Sequence, residues 1–348
     1  MLVSDFDYDL PEELIAQHPT ERREMSRMLA LDRVSGRYEL KQFTDFQSYL
    51  RPGDCLVLND TKVIPARLWG HRAGSGGRVQ AFMLEENKDK TWKALLRPGR
   101  RLSPGSRVDL DGDDCGGFVV VSKNELDGTY NLSFDEKDVL SVMEKHGKIP
   151  LPPYINRNPE DADFERYQTV YAAHPGTVAA PTAGLHFTPE ILSQIECSGV
   201  KIVKLTLHVG AGTFKPVSVE RVEDHVMHEE AFILSPESAA TINKTHDDGH
   251  RVFCVGTTTV RVLETCADEA KPGHVIPQEG RTKIFLYPPK TPQVVDCLLT
   301  NFHLPKSTLL MLVCTFCDYD HVMAAYKFAV EQRLRFFSYG DCMLLHKD

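Results

Sequence analysis

Between residues 67 and 150 the chain changes period, and that change constrains the fold more than any single motif. Short alternating pieces, RVQAFML, TWKALL, RVDL and GFVVVS, follow one another at close spacing, separated by the turns GSGG, RPGRRLSPGS, DGDD and NELDG. Alternation puts one face of each piece in a core and the other in water, and Gly, Pro, Asn and Asp reverse the chain between them. No comparable run occurs elsewhere. Residues 67–150 are therefore expected to form a small all-β, Greek-key barrel-like domain, inserted into an α/β main domain built from 1–66 and 151–348.

The remainder mixes buried strands with amphipathic helices. MLALDR and CLVLND read as strands, and Pro11 among acids predicts a short helix over 5–17. Val139 to Lys148 reads as a helix ending near Gly147, and LPPYI (151–155) as a stiff return to the main domain. ERYQTVYAA (165–173) is expected to be helical. Thr188 and Pro189 open a helix that Gly199 ends, and a strand follows over 201–209. RVFCVGTTTVRVLE predicts a strand, then a helix. Ile284 to Leu286 reads as a strand, Val294 to Leu299 as helical or extended, TNFHLPKSTLLMLVCTFC as a buried helix headed by Pro305 or Ser307, and Ser338 to Leu345 as a turn and strand.

Composition bounds the function. The chain has 348 residues, 42% of them hydrophobic, which is ample for a sizeable core. Its longest apolar run, Leu309 to Cys317, is far short of a membrane span, and the acids in Met1 to Leu10 are unlike a signal peptide, so a cytoplasmic protein is expected. Nine scattered Cys fit reduced thiols there, and Cys314 and Cys317, a C-x-x-C inside an apolar run, read as core thiols. A net charge of −9 disfavours bulk polyanion binding but leaves local basic patches. Arg22 and Arg23, then Arg97, Arg100 and Arg101, then Arg333 and Arg335 among aromatics, are candidates for RNA contact, with a solvated surface as the alternative.

Residues 177–217 concentrate small residues and two His around one helix and one strand. Ala183 and Gly184 precede that helix with His186, while His208, Gly210, Gly212 and Thr213 follow the strand. Such loops let backbone approach a ligand closely, or pack as tight turns. Asn59, Asp60 and Thr61 leave a buried strand at its carboxyl end, where α/β folds gather ligands, although an Asn/Asp turn reads the same way. Thr257 and Thr258 open a helix with Arg261 one turn inside, a place for a carboxylate or phosphate. Asn301 and His303 lie just ahead of the apolar helix. In DHVMHEE, His225 and His228 are followed by Glu229 and Glu230 rather than bracketing an acid, unlike the zinc pattern H-E-x-x-H, so acid/base service is favoured over metal.

Nine ordered segments, LVLNDTKVIPARL, LPPYI, ERYQTVYA, TVAAPTAGLHFT, LTLHVGAGTFKPV, HVMHEE, VGTTTVRVLE, LLTNFHLPKSTLLMLV and RFFSYGD, make the whole chain resemble the S-adenosylmethionine:tRNA ribosyltransferase-isomerase family of queuosine biosynthesis. The resemblance implies a barrel-like α/β main domain with an inserted β domain. It also implies transfer of the ribosyl moiety of S-adenosylmethionine, as co-substrate and without a metal, to 7-aminomethyl-7-deazaguanine at the wobble position of a tRNA anticodon stem-loop. Rearrangement there gives epoxyqueuosine, with adenine and methionine released. Cys314 and Cys317 stand where small residues are usual, Thr259 where Ser is common, and Pro289 where Gly is frequent; these affect local packing only. The reaction needs a base, sought among His186, His208, His225 and His228, and an acid for adenine, a second His or Glu229 or Asp341. Thr257, Thr258 and Arg261 are the choice for the methionine carboxylate. A monomer is expected. The alternatives are a metal-dependent hydrolase using His225 and His228, and a noncatalytic tRNA-binding module.

Overall fold

The computed structural model describes residues 1–112, 116–210, 212 and 217–347. At the centre of the main body four parallel strands lie side by side in the order Lys201–Leu207, Cys55–Asn59, Val252–Val255 and Cys297–Asn301. The last three are buried throughout, which is why they read as continuous apolar runs. Glu230–Leu234 and Gln278–Thr282 extend this sheet on one side, and Cys342–His346, Arg27–Asp32 and Tyr38–Gln42 on the other, to nine strands. Helices cover both faces. Pro236–Asp247 and Thr257–Thr265 contribute Ile242, Val260 and Leu263 to one apolar layer, and Pro189–Cys197 contributes Ile191 and Ile195 to the other.

The inserted unit is a closed six-stranded barrel. Arg67–Arg72, Arg78–Glu86 and Trp92–Arg97 form a meander; Arg107–Leu110 pairs back with the first strand, Gly117–Lys123 follows, and Tyr130–Phe134 closes on Trp92–Arg97. Val79, Ala81 and Met83 point inward from one strand to meet Val108, Phe118 and Leu132, as the period-2 pattern requires. Closure leaves no unpaired edge. The fold is thus an α/β main body carrying an all-β barrel. At the barrel's root Arg67 and Lys148 exchange backbone hydrogen bonds of 3.2 and 2.9 Å, and the Arg67 guanidinium donates to the Leu151 carbonyl at 2.9 Å. Gly147 sits in this joint with no room for a side chain, since a Cβ would lie 1.9 Å from the Pro65 carbonyl oxygen and 2.5 Å from that of Met143. Both obstacles are backbone. Gly147→Ala should therefore cost about 3 kcal/mol, read as a lower midpoint in urea unfolding, whereas Gly74→Ala, where space is open but φ is +80°, isolates the cost of conformation alone.

Several expected elements differ. The leading helix is two 3₁₀ turns, Val3–Phe6 and Glu12–Leu14, because Phe6 and Leu14 anchor separately in the core instead of sharing one helical stripe. In 165–173 the helix is only Asp163–Arg166; beyond it Tyr167, Thr169 and Tyr171 are buried alternately, and that tertiary demand overrides helical spacing. Residues 284–286 carry no strand. The strand is Gln278–Thr282, a polar edge segment visible only through its pairing with Glu230–Leu234. The apolar helix shortens to Thr308–Val313, capped by Ser307, whose hydroxyl accepts from the Leu310 N–H at 3.2 Å. Cys314 ends it buried, and the Cys317 thiol donates to the Arg33 carbonyl at 3.4 Å. No helix among the described residues is long and apolar enough to cross a membrane.

Candidate active-site cleft

The four central strands end at one edge of the sheet, and the exits of Lys201–Leu207, Val252–Val255 and Cys297–Asn301 help build a cleft of about 1160 Å³ including its open mouth. Ligand sites in parallel sheets gather at such an edge because loops of neighbouring strands converge there. Gly256, Thr257 and Thr258 enter the cleft from Val252–Val255, Asn301 and His303 from Cys297–Asn301, and Ala183 from the loop ahead of Pro189–Cys197. Gly256 turns the chain from strand to helix with φ +86°, a conformation that costs glycine nothing, and the helix then starts without a side-chain cap. Its first N–H groups and the positive end of its dipole face the cavity.

Arg261, one turn into that helix, is buried and paired with Glu230 through Nη1. Its Nε and Nη2 have no hydrogen-bond partner among the described residues. A buried guanidinium with two donors unsatisfied is costly unless a ligand supplies the acceptors. Glu230 also accepts from the Gly210 N–H at 3.0 Å. Glu229, one of the candidate acids, is exposed and turns outward to Arg281 at 3.6 Å. The strand begins at Glu230, so Glu230, Phe232 and Leu234 share the buried face, a period-2 register legible in EAFIL.

His225 and His228 line the cleft together. Burial first, and then the neighbouring His228, hold the His225 imidazole below its ordinary range. A Cβ on Gly212 would lie 2.2 Å from the His228 ring, so this glycine admits the imidazole. Thr213 lies outside the described residues. His303 also lines the cleft, and burial pushes it down to about 3 while its Nε2 meets the Thr300 hydroxyl at 3.0 Å. Tyr154 and Phe337 form an aromatic wall beside Ser338; none of the three is among the expected substrate-binding residues, Phe337 being legible only as one of the aromatics among the basic residues near the C-terminus. The Tyr154 and Phe337 rings meet edge to face at 3.9 Å, and the Tyr154 and Ser338 hydroxyls are hydrogen-bonded. Phe337 holds a left-handed φ of +72°, fixed by Asn301, whose amide donates to the Phe337 carbonyl at 2.8 Å. Strain of that kind has no sequence signature.

Other expected groups fall outside the cleft lining. His186 is buried between the Ser26 hydroxyl at 2.9 Å and the Asn301 side-chain amide oxygen at 3.1 Å, and burial pushes it down to about 4. With both ring nitrogens engaged, it supports the cleft through Asn301. His208 meets the Thr61 hydroxyl at 2.8 Å, and burial followed by His174 lowers its pKa. Asn59 is a strut: it receives the Leu207 and Thr61 N–H groups, and its amide donates to the Leu207 carbonyl and the Thr258 hydroxyl. Asp60 accepts from Thr206 at 2.7 Å and meets His174 at 3.2 Å. Gly184 packs on Tyr171, where a Cβ would lie 2.1 Å from the hydroxyl, and Gly210 stands beside the cleft. Asp341 is buried against the Arg27 and Arg335 N–H groups, both at 2.8 Å, which makes it a structural anchor.

The basic candidates separate as well. Arg97, Arg100 and Arg101 are exposed on a barrel turn. Arg22 pairs with Glu24 at 3.1 Å and Arg333 with Glu13 at 3.7 Å. Arg23 and Arg335 turn inward to backbone carbonyls, Arg23 to Leu185 and Glu165, Arg335 to His18. Among the described residues, no three His, Cys, Asp or Glu side chains are grouped to hold a metal ion.

The family model described as queuosine biosynthesis protein matches residues 3–345. A protein of Acetivibrio thermocellus named S-adenosylmethionine:tRNA ribosyltransferase-isomerase is 47% identical over 99% of this chain and 100% of its own. A protein of Symbiobacterium thermophilum with the same name is 50% identical over the same shares. The crystal structure of S-adenosylmethionine tRNA ribosyltransferase from Thermotoga maritima superposes with a TM-score of 0.56 at 38% identity, covering 98% of this chain and 100% of that one. Matched from end to end by that family model and by full-length relatives, the chain belongs to the queuosine biosynthesis protein family.

Proposed function

We propose that this chain is an S-adenosylmethionine:tRNA ribosyltransferase-isomerase, acting as a cytoplasmic monomer on a tRNA that carries 7-aminomethyl-7-deazaguanine in its anticodon loop. The observation that carries the reading is Arg261: buried, with two guanidinium donors unmatched among the described residues, beside an uncapped helix start in a cleft that also holds a histidine pair. A methionine carboxylate fits those donors as a charge-assisted acceptor. The reaction removes a proton from the carbon beside the sulfonium, whose positive charge acidifies it. His225, held below its ordinary range by burial, is neutral near pH 7 and suits a base. His228 is then the donor that protonates departing adenine, in place of Glu229 and Asp341, which face elsewhere. Tyr154 and Phe337 offer the face on which a purine stacks. Family membership supports this reading over a metal-dependent hydrolase or a noncatalytic tRNA-binding module.

The test is adenine release from S-adenosylmethionine by purified protein with tRNA bearing the modified base. Release that depends on both substrates is expected. No release under conditions where both bind would sink the reading. His225→Gln should lower turnover roughly 100-fold or more while leaving S-adenosylmethionine affinity within a few-fold, because a base acts in the transition state rather than in binding.

A further inference from the structure

Behind the cleft lies a second, smaller hollow of about 250 Å³ including its open mouth, lined by Thr20, Arg23, Ser26, Arg166, His186 and Ser338. Ser338 also lines the main cleft, so the two cavities share a wall residue. Arg166 donates to the carbonyls of Glu21 at 3.0 Å and Thr20 at 2.7 Å, while its buried Nε has no partner among the described residues. Arg23 donates to the carbonyls of Leu185 at 3.2 Å and Glu165 at 2.8 Å. Carbonyls satisfy N–H groups, but they do not neutralise charge. Among the described residues neither guanidinium has a carboxylate within 4.0 Å, although ion pairs are plentiful elsewhere on the surface. Two arginines therefore share one partly desolvated hollow with no carboxylate in direct contact, Glu165 offsetting Arg23 only at longer range. Arg23 responds as that arrangement demands, its pKa lowered by burial first and then by Arg166.

From this hollow we infer a phosphate-binding subsite that takes one backbone phosphodiester of the substrate RNA, next to the nucleotide whose base enters the main cleft. The inference rests on the proposed reaction for its RNA. Guanidinium groups match a phosphate's oxygens in geometry as well as charge, and the Ser26 and Thr20 hydroxyls line the same wall. Because Ser338 borders both cavities, a strand whose base points into the cleft has its backbone within reach of the arginine pair. The subsite fixes register and carries no sequence information. The same chemistry would accept inorganic phosphate, so the experiment separates the two.

The intact protein is titrated with stem-loop RNAs in which single phosphodiesters around the modified nucleotide are replaced by neutral methylphosphonates. One position is expected to weaken binding roughly tenfold, the others little. In the Arg23→Gln/Arg166→Gln double variant, that position should lose its effect, and the slope of log affinity against log salt should become shallower by about 0.7, one phosphate on single-stranded RNA. Affinity for S-adenosylmethionine, measured separately, should be unchanged, which reports that the variant is folded. A scan with no sensitive position, or inorganic phosphate protecting the wild type from unfolding while the scan is flat, overturns the inference. The scan on wild-type protein decides even if the double variant fails to fold. A flat scan alongside normal adenine release would remove the subsite and leave the reaction; a sensitive position without adenine release would do the reverse.

Discussion

Arg261→Met should weaken S-adenosylmethionine binding by about 100-fold or more, measured by calorimetry. Two hydrogen bonds from a buried guanidinium to a carboxylate are each worth roughly 1.5–3 kcal/mol, and methionine at this position supplies neither. The substitution does a second thing. It strands Glu230 in a buried place, and removing one partner of a buried pair costs about 3–5 kcal/mol of stability. The two effects separate in the double variant Arg261→Met/Glu230→Gln. Neutralising the stranded carboxylate should restore much of the lost stability and none of the lost affinity. Full recovery of binding in the double variant would mean that Arg261 acts only as the partner of Glu230, and the carboxylate site would have to be sought elsewhere in the cleft.

Acid should destabilise the fold well before its carboxylates titrate. His186 and His303 are pushed by burial to about 4 and about 3, against 6.5 in the unfolded chain. A group whose pKa is depressed by folding contributes in full above its unfolded value, and the contribution is lost as pH falls toward the folded one. Between pH 8 and pH 5 the unfolded imidazoles take up protons that the folded ones refuse, a loss of about 2 kcal/mol for each. His208 and His225, also lowered by burial, add to the loss. His246 works against it: burial would lower its pKa, but its hydrogen bonds to Asp296 and the Gly273 carbonyl outweigh burial and raise it, so its protonation stabilises below 6.5. Urea unfolding at pH 8 and pH 5 should show a net fall in stability of several kcal/mol. In His186→Gln, where an amide can still meet Asn301, that fall should shrink by about 2 kcal/mol. An unchanged pH difference in the variant would show that His186 takes up its proton in the folded state.

The two experiments bear on different layers of the molecule. The first concerns two hydrogen-bond donors left unsatisfied on an arginine lining the cleft, the second a buried layer that holds the cleft's wall. Ser26, His186, Asn301 and Phe337 form a continuous hydrogen-bonded run from the small hollow to the aromatic wall of the large one. A histidine with both nitrogens engaged keeps Asn301 in place, and Asn301 keeps Phe337 in its left-handed backbone. His186→Gln should accordingly also raise the KM for S-adenosylmethionine more than it lowers kcat.

The sequence by itself determined whatever depends on neighbours along the chain. The barrel was legible because its strands alternate and its turns carry their own chemistry, so each hairpin is specified locally. Thr188 as a cap, Gly199 after its helix and Ser307 at the head of the apolar helix are local for the same reason. Thr257, Thr258 and Arg261 were legible as a helix start with an arginine one turn inside, because a helix start needs only its own few residues. Tertiary structure alone decided which titratable groups face the cleft. His186 and His208 sit in the small-residue stretch richest in site candidates, yet contacts with Asn301 and Thr61 from distant segments hold both outside the cleft lining, while Glu230 rather than Glu229 faces the cavity because the strand's register begins there. Tyr154, Asn301 and Phe337 come from distant parts of the chain and meet only when the sheet assembles. Burial, which lowers the pKa of His186, His208, His225 and His303, is a property of that assembly: it depends on what covers a side chain, and the covering residues lie far away in sequence.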